Sequence, residues 1–216
     1  LNIAVLGCSI GAEVYSILST IRSARPDLDV HLCAIDNSAE VLKVAKEAVY
    51  TSQTCDFVDS PIFERMTGAE FGEMFEGDRE EARTDRGFGK EISWHLGNAG
   101  DPRLKRVLGP QDMVVANNFL CHMAPPEAEN CLRNITGIVK QGGYLFFSGI
   151  DLDVRAKVAR DLCWRPVSEL IKEIHEGDPS VRGDWPFAGW ELEPFDTKRD
   201  DWQMRYAAVF KLNEGV

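Results

Sequence analysis

The stretch Asn2-Ile3-Ala4-Val5-Leu6-Gly7-Cys8-Ser9-Ile10-Gly11-Ala12-Glu13 decides the fold. Asn2 to Leu6 is a short apolar run stopped by a glycine, the pattern of a buried strand. From Ala12 to Ser23, Val14, Ile17, Leu18 and Ile21 recur at helical spacing and define one face of a helix, which Pro26 and Asp27 close. Val30 to Ile35 forms a second apolar strand that ends at Asp36. Asn37, followed three residues later by Glu40, reads as a capping box opening a helix with Val41, Leu42, Ala45, Ala48 and Val49. Strand, helix, strand and helix in this order imply a parallel sheet covered by helices.

The pattern continues outward. Residues 51 to 90 are irregular, with a charged run from Glu76 to Arg86 that reads as a solvated loop or helix surface, or as a cover over a site. Glu91 to Leu96 and Met113 to Ala116 are further strands. Pro125 and Pro126 open a helix carrying Ala128, Cys131, Leu132, Ile135 and Val139, and Gly142 and Gly143 end it. Tyr144 to Ile150 is the fifth strand. Two helical stretches follow, near Val154 to Cys163 and Pro166 to Glu176. Gly177 to Gly189 is a loop rich in Gly, Pro and Trp. Two last strands are expected, near Trp190 to Glu193 and Met204 to Leu212, where Tyr206, Ala208, Phe210 and Leu212 alternate as in an edge hairpin.

The 216 residues suit one domain over 1–216, and the abrupt start at a strand suggests a truncated N-terminus. An apolar share of 44% and a charged share of 27% describe a globular chain. No stretch reaches the roughly 18 apolar residues of a membrane span. A net charge of -11 argues against a nucleic-acid partner, whose phosphates require Lys and Arg. Six cysteines lie without a CxxC pair, which reads as reduced thiols of a cytoplasmic protein with no metal site.

The Gly7 to Glu13 turn joins a strand to a helix, where backbone N–H groups and the helix end face a ligand. Gly7 and Gly11 permit unusual backbone angles. Asp36 at the end of the second strand is placed for ribose hydroxyls. It stands further beyond Gly11 than the roughly 20 residues of the dinucleotide fingerprint. The turn is G-x-x-x-G, not GxGxxG, and Glu13 would repel a pyrophosphate. A cationic, phosphate-free ligand such as S-adenosyl-L-methionine (SAM) suits it better. The competing reading is a tight turn with Asp36 capping the next helix.

Gly7-Cys8-Ser9-Ile10-Gly11-Ala12-Glu13-Val14-Tyr15-Ser16-Ile17 resembles the "SxGEEPYSI" segment of CheR-type class I SAM-dependent methyltransferases. Ala34 to Leu42 is similar to their "ATDID...VL", Ala48-Val49-Tyr50 to "GIY", Val115 to Leu120 to "CRNVLIYF", and Gly142 to Phe146 to "pdGyLf". The resemblance runs in order from residue 3 to about residue 150. It implies an α/β, Rossmann-like fold with a seven-stranded, mostly parallel sheet and a C-terminal antiparallel hairpin. It also implies SAM as methyl donor, with Glu13 on the methionine ammonium and Asp36 on the ribose. Gly7, Cys8, Ser9, Gly11 and Asn37 belong to the same cofactor set. Asn98 and Ala99 would lie at the adenine, Asn117 and Asn118 beside the methionine portion, and Phe119 belongs to the same cofactor set. The chain departs from the family at Ala12 and Val14 in place of Glu and Pro, at Asn117 in place of Arg, and at His122 in place of Tyr.

Acceptor groups should follow the fourth and fifth strands, which points to His122, Asp151, Asp153, Arg155, His175, Asp178, Trp185 and Trp190. A hydroxyl or amine acceptor needs a base, for which His122 and His175 are candidates, and a carboxylate needs none. A packed or capping role is the competing reading for each His. Asp151 and Asp153 equally suit helix capping, and the tryptophans equally suit core packing. The expected activity is methyl transfer to O or N of a small molecule or protein carboxylate. A non-catalytic SAM-fold interaction protein and an NAD-dependent oxidoreductase are the alternatives.

Overall fold

The apolar runs become parallel strands because both of their faces are covered. The computed structural model describes residues 1–51, 68–78, 80–84, 89–177 and 193–213. The chain divides into two compact units, Leu1–Asn98 and Ala99–Val216.

The first unit contains β1 (Asn2–Leu6), α1 (Ala12–Ala24), β2 (His31–Asp36), α2 (Ala39–Glu47), β3 (Val49–Tyr50), α3 (Gly68–Met74), β4 (Phe75–Gly77), β5 (Ala82–Thr84) and β6 (Ile92–Leu96). β2 pairs in parallel with β1, where Leu6 faces Ile35, and with β6, where Asp36 faces Leu96. Ile3 to Leu6 are fully buried, and α1 buries Val14, Tyr15 and Leu18. The cap of α2 is Ser38, not the expected Asn37: the Ser38 hydroxyl accepts from Val41 N at 3.4 Å. Ala48 ends that helix in the left-handed region (φ 53°), so Val49 lies in β3 and not on the helix.

Where it is described, the charged run is a short hairpin, two strands joined by a turn, and not a helix surface. β5 pairs antiparallel with both β3 and β4 in a second, three-stranded sheet. Asp78 forms the β4–β5 turn by accepting from the N–H groups of Glu80 and Glu81. A Cβ on Gly77 (φ 102°) would stand 2.4 Å from the Glu81 carbonyl oxygen, so the turn requires glycine.

The second unit contains α4 (Leu104–Leu108), β7 (Gln111–Ala116), a 3-10 turn (Leu120–His122), α5 (Pro125–Thr136), β8 (Val139–Phe147), α6 (Leu152–Asp161), β9 (Arg165–Pro166), α7 (Ile171–Glu176), α8 (Trp202–Tyr206) and β10 (Val209–Lys211). β7 and β8 are parallel, whereas β10 is antiparallel to β8 and to β9. Seven strands thus follow the expected α/β pattern, mostly parallel with an antiparallel hairpin at the end. The order is third, second, first in one unit and fourth, fifth, seventh, sixth in the other.

Two boundaries differ from the sequence reading. α5 stops at Thr136, where Gly137 N bonds back to Asn134 O and Ile135 O, and Val139 pairs with Gln111 in the sheet. Gly142 and Gly143 lie inside β8 at an irregularity in its register. A Cβ on Gly143 would come within 2.9 Å of the Asp112 and Lys140 carbonyls. The expected strand from Met204 is a helix up to Tyr206, and only Val209–Lys211 pair. Likewise Arg165–Pro166 form a strand where a helix was expected to start. Phe147, Trp164 and Phe210 stack or tilt on one another at 5.4 to 6.0 Å and fill the core behind β8 and β10.

Candidate functional site

In the first unit the turn after β1 has left-handed backbone at Gly7 (φ 67°), Ser9 (φ 47°) and Gly11 (φ 87°). Cys8 N donates to Ile35 O at 3.0 Å and Gly11 N to Cys8 O at 2.9 Å. Ser9 N donates at 2.9 Å to Asp36 Oδ2, while Oδ1 of the same carboxylate accepts from Ser38 N at 2.9 Å. Asp36 therefore ties the glycine turn to the end of β2. A carboxylate has about four acceptor positions, so capacity for further donors remains after two bonds.

Gly11 serves packing as well as backbone freedom. A Cβ there would stand 2.9 Å from both Ala45 Cβ and Trp94 Cη2. Beneath the turn, Tyr15 donates to Ala45 O and Tyr50 to Ile10 O, each at 2.8 Å, and the Tyr15 ring lies 5.9 Å from Trp94. Burial pushes the Tyr15 hydroxyl up to about 12. The Cys8 thiol is pushed up to about 12, first by burial and then by the charges of Asp36 and Glu13. Asp36 and Glu13 thus place two carboxylates close to the turn. Among the described residues, the turn's Cys8, Ser9 and Gly11 N–H groups are all spent on protein oxygens, which leaves a poor phosphate cradle. The residues fit a cationic ligand with hydroxyls to donate, as SAM has.

Sequence reasoning missed Trp94, Tyr50 and Leu96. Leu96 is 64% exposed, sits opposite Asp36 in the sheet and precedes Gly97, whose N–H donates to Asp36 O at 2.8 Å. An exposed leucine at the carboxyl end of a buried strand was the available signal. Asn37 and Asn98 are exposed.

In the second unit Asn117, Asn118 and Phe119 follow β7 and are half-buried, as is Ala99. The Ser148 hydroxyl lies 3.0 Å from both Asn117 Oδ1 and Asn118 Oδ1, so the two asparagines are brought together at the ends of β7 and β8. Asn118 takes a left-handed φ of 59°, which asparagine tolerates better than most residues. His122 is exposed at the end of the 3-10 turn.

The remaining candidates lie around α6 to α8. Asp151 Oδ1 accepts from Asp153 N at 2.8 Å and Val154 N at 2.9 Å, which makes it the N-cap of α6. His175 is half-buried against Tyr206 (4.6 Å) and Phe195 (5.9 Å), with Nε2 2.7 Å from the Glu193 carbonyl oxygen. A carbonyl only accepts, so Nε2 carries the proton. Burial holds the His175 pKa below its ordinary value. Arg205 grips Glu193 with Nε at 2.5 Å and Nη2 at 2.8 Å, and reaches Asp153 with Nη1 at 2.5 Å. Tyr206 OH donates to Glu193 Oε1 at 2.7 Å. Asp178, Trp185 and Trp190 lie outside the described residues, as does most of the expected strand from Trp190 to Glu193.

The family model of the CheR methyltransferase SAM-binding domain matches residues 1–151. The chain belongs to the CheR methyltransferase family. That match covers the whole first unit and the second as far as the α6 cap, so SAM is the cofactor the family binds. No curated protein matches the chain. An O-methyltransferase family protein from Burkholderia thailandensis is similar in structure, with 14% identity over 99% of this chain and 51% of that one, and a TM-score of 0.48. The [4+2]-cyclase SpnF has 16% identity over 100% of this chain and 76% of that one, at 0.47. N-methyltransferase NodS from Bradyrhizobium japonicum WM9, in complex with S-adenosyl-L-homocysteine (SAH), has 16% identity over 77% and 66%, at 0.43. This chain spans about half to three quarters of the length of these three. Among the described residues no helix is long and apolar enough to cross a membrane.

Proposed function

We propose that the chain transfers the methyl group of SAM to an oxygen or nitrogen of a small molecule or of a carboxylate. The observation that carries the reading is the Asp36 carboxylate, held against the glycine turn by Ser9 N and kept in place by Ser38 N. Asp36 accepts the ribose hydroxyls, and Glu13 at the start of α1 neutralises the methionine ammonium. Gly7, Cys8, Ser9 and Gly11 shape the turn that receives the amino-acid portion. Asn37, Asn98, Ala99 and the exposed Leu96 are assigned to the nucleoside, and Asn117, Asn118 and Phe119 to the methionine. SAM, when bound, supplies an electrophilic methyl on a sulfonium.

The chain's own contribution to the transfer is to align the acceptor and exclude water. A carboxylate acceptor is already ionised and needs no base. For a hydroxyl or amine, His122 and His175 are the candidates, and His175, which commits Nε2 to the Glu193 carbonyl, can take a proton only at Nδ1. Asp151 is assigned to capping first, since one of its oxygens already accepts two backbone N–H groups. Free thiols at Cys8, Cys33, Cys121, Cys131 and Cys163 support a reducing, cytoplasmic setting as part of the proposal.

The test is transfer of tritium from methyl-labelled SAM into a panel of purified carboxylates, phenols and amines. Transfer that disappears in Asp36→Ala supports the reading. Transfer unchanged in Asp36→Ala would refute the assigned site, and none with any acceptor despite tight SAH binding would refute the activity.

A further inference from the structure

Arg155 is a candidate acceptor-binding group that, among the described residues, keeps its charge without a carboxylate beside it. It lies on α6 and is 4% exposed, with its guanidinium carbon 5.3 Å from the centre of the Phe147 ring. Its Nη1 donates to the Arg205 carbonyl at 3.3 Å, and its buried Nε has no hydrogen-bond partner. Among the described residues it has no carboxylate partner. The carboxylates of its cluster are taken: Arg205 holds Glu193 through two bonds and Asp153 through one, and Tyr206 adds a third donor to Glu193. A buried guanidinium with an unpartnered Nε–H is costly to keep unless something else completes it.

Its position says what that would be. Phe147 is the last residue of β8, and the neighbouring Ser148 organises Asn117 and Asn118 at the end of β7. Arg155 lies in the first turn of α6, the helix that follows the carboxyl end of β8, and packs on the ring of that strand's last residue; the carboxyl ends of the strands are the ligand side of an open α/β sheet. Burial and the charge of Arg205 lower its pKa to about 10, so it stays cationic at neutral pH. A planar fork of N–H groups matches a carboxylate. A phosphate dianion would exceed the single open positive charge and be repelled by Glu193 and Asp153.

We propose that Arg155 binds the carboxylate of the methyl acceptor, making the substrate class small carboxylic acids. This rests on the methyltransferase reading above. Arg155 is a binding residue here, whether the methyl goes to that carboxylate or to another group on the same molecule.

The test uses the full chain, nitrogen-15 labelled and saturated with SAH, titrated with benzoate, benzamide and phenyl phosphate. The Arg155 Nε–H resonance, assigned by its loss in Arg155→Lys, is followed by NMR. Benzoate is expected to move it and to bind about tenfold or more tightly than benzamide, a factor in keeping with a charged hydrogen bond. Arg155→Lys and Arg155→Met should lower benzoate affinity by about tenfold or more while SAH affinity stays within about twofold. A resonance untouched by benzoate, as bound water alone would leave it, overturns the proposal. So does a response to phenyl phosphate without one to benzoate, or equal benzoate affinity in the variants. If neither variant folds, the wild-type resonance and the benzoate-to-benzamide ratio decide. Failure of wild-type protein to bind SAH would overturn the methyltransferase reading instead, and benzoate titration of the SAH-free chain would still decide the role of Arg155.

Discussion

Asp36 closes β2 and Asp151 follows β8, and both precede a helix and accept two backbone N–H groups, yet they do different work. Asp36 uses one oxygen on Ser9, 27 residues away in sequence, and the other on Ser38. Asp151 uses a single oxygen on its near neighbours Asp153 and Val154. The first arrangement crosses between two segments and holds a carboxylate against a glycine turn. The second is a local cap. What separates a candidate ligand group from a structural one is therefore the span of its bonds, since the residue type is the same and both stand between a strand and a helix.

The largest effect expected is at the turn that Asp36 holds. Gly11→Ala places a Cβ at 2.9 Å from Ala45 and Trp94, with φ at 87°. Overpacking and left-handed strain together should cost about 2–4 kcal/mol in urea unfolding. Next, Asp36→Ala should weaken SAH about 100-fold through the loss of charged hydrogen bonds. Asp151→Ala should lower stability by about 1 kcal/mol, as a lost N-cap does, and leave SAH affinity within about twofold. If Asp151→Ala weakened SAH as strongly as Asp36→Ala, the distinction between the two would fall.

The pH dependence sharpens the contrast between the α6 region and the turn. The Arg205 guanidinium holds Glu193 at about 2, below its ordinary 4.5. The folded value lies below the unfolded one, so this stabilisation is fully present above about pH 4.5 and is lost as pH falls toward 2. Glu193→Gln should flatten the fall in urea midpoint across that window. The smallest effect is chemical: exposed Cys163 should react with iodoacetamide well before Cys8 and Cys131, whose thiols burial raises to about 12 and about 11.

The first four elements were legible because Ile3–Leu6 and Leu32–Ile35 are unbroken apolar runs and α1 keeps a helical period. Val139 was misread because it continues the spacing of Leu132 and Ile135, and the stop at Gly137 is weaker than the glycine pair at 142. Tyr206 fits a strand alternation that includes Phe210, but Arg205 is held in a helix by Glu193 and Asp153, partners remote in sequence. The β4–β5 hairpin has strands of three residues each, too short for alternation to show. For the candidate site, Asp36 and Glu13 are proposed from residue type and position. The Ser9–Asp36 bond, the Trp94 contact and the unpartnered Nε–H of Arg155 depend on tertiary geometry that no spacing encodes.

The central claim is that the turn and Asp36 form a SAM site and not a dinucleotide site. Calorimetric titration of the chain with SAH and, separately, with NADH tests it most directly, with Asp36→Ala as control. The account predicts saturable SAH binding that Asp36→Ala weakens about 100-fold, and no NADH binding. Tight NADH binding without SAH binding would contradict it.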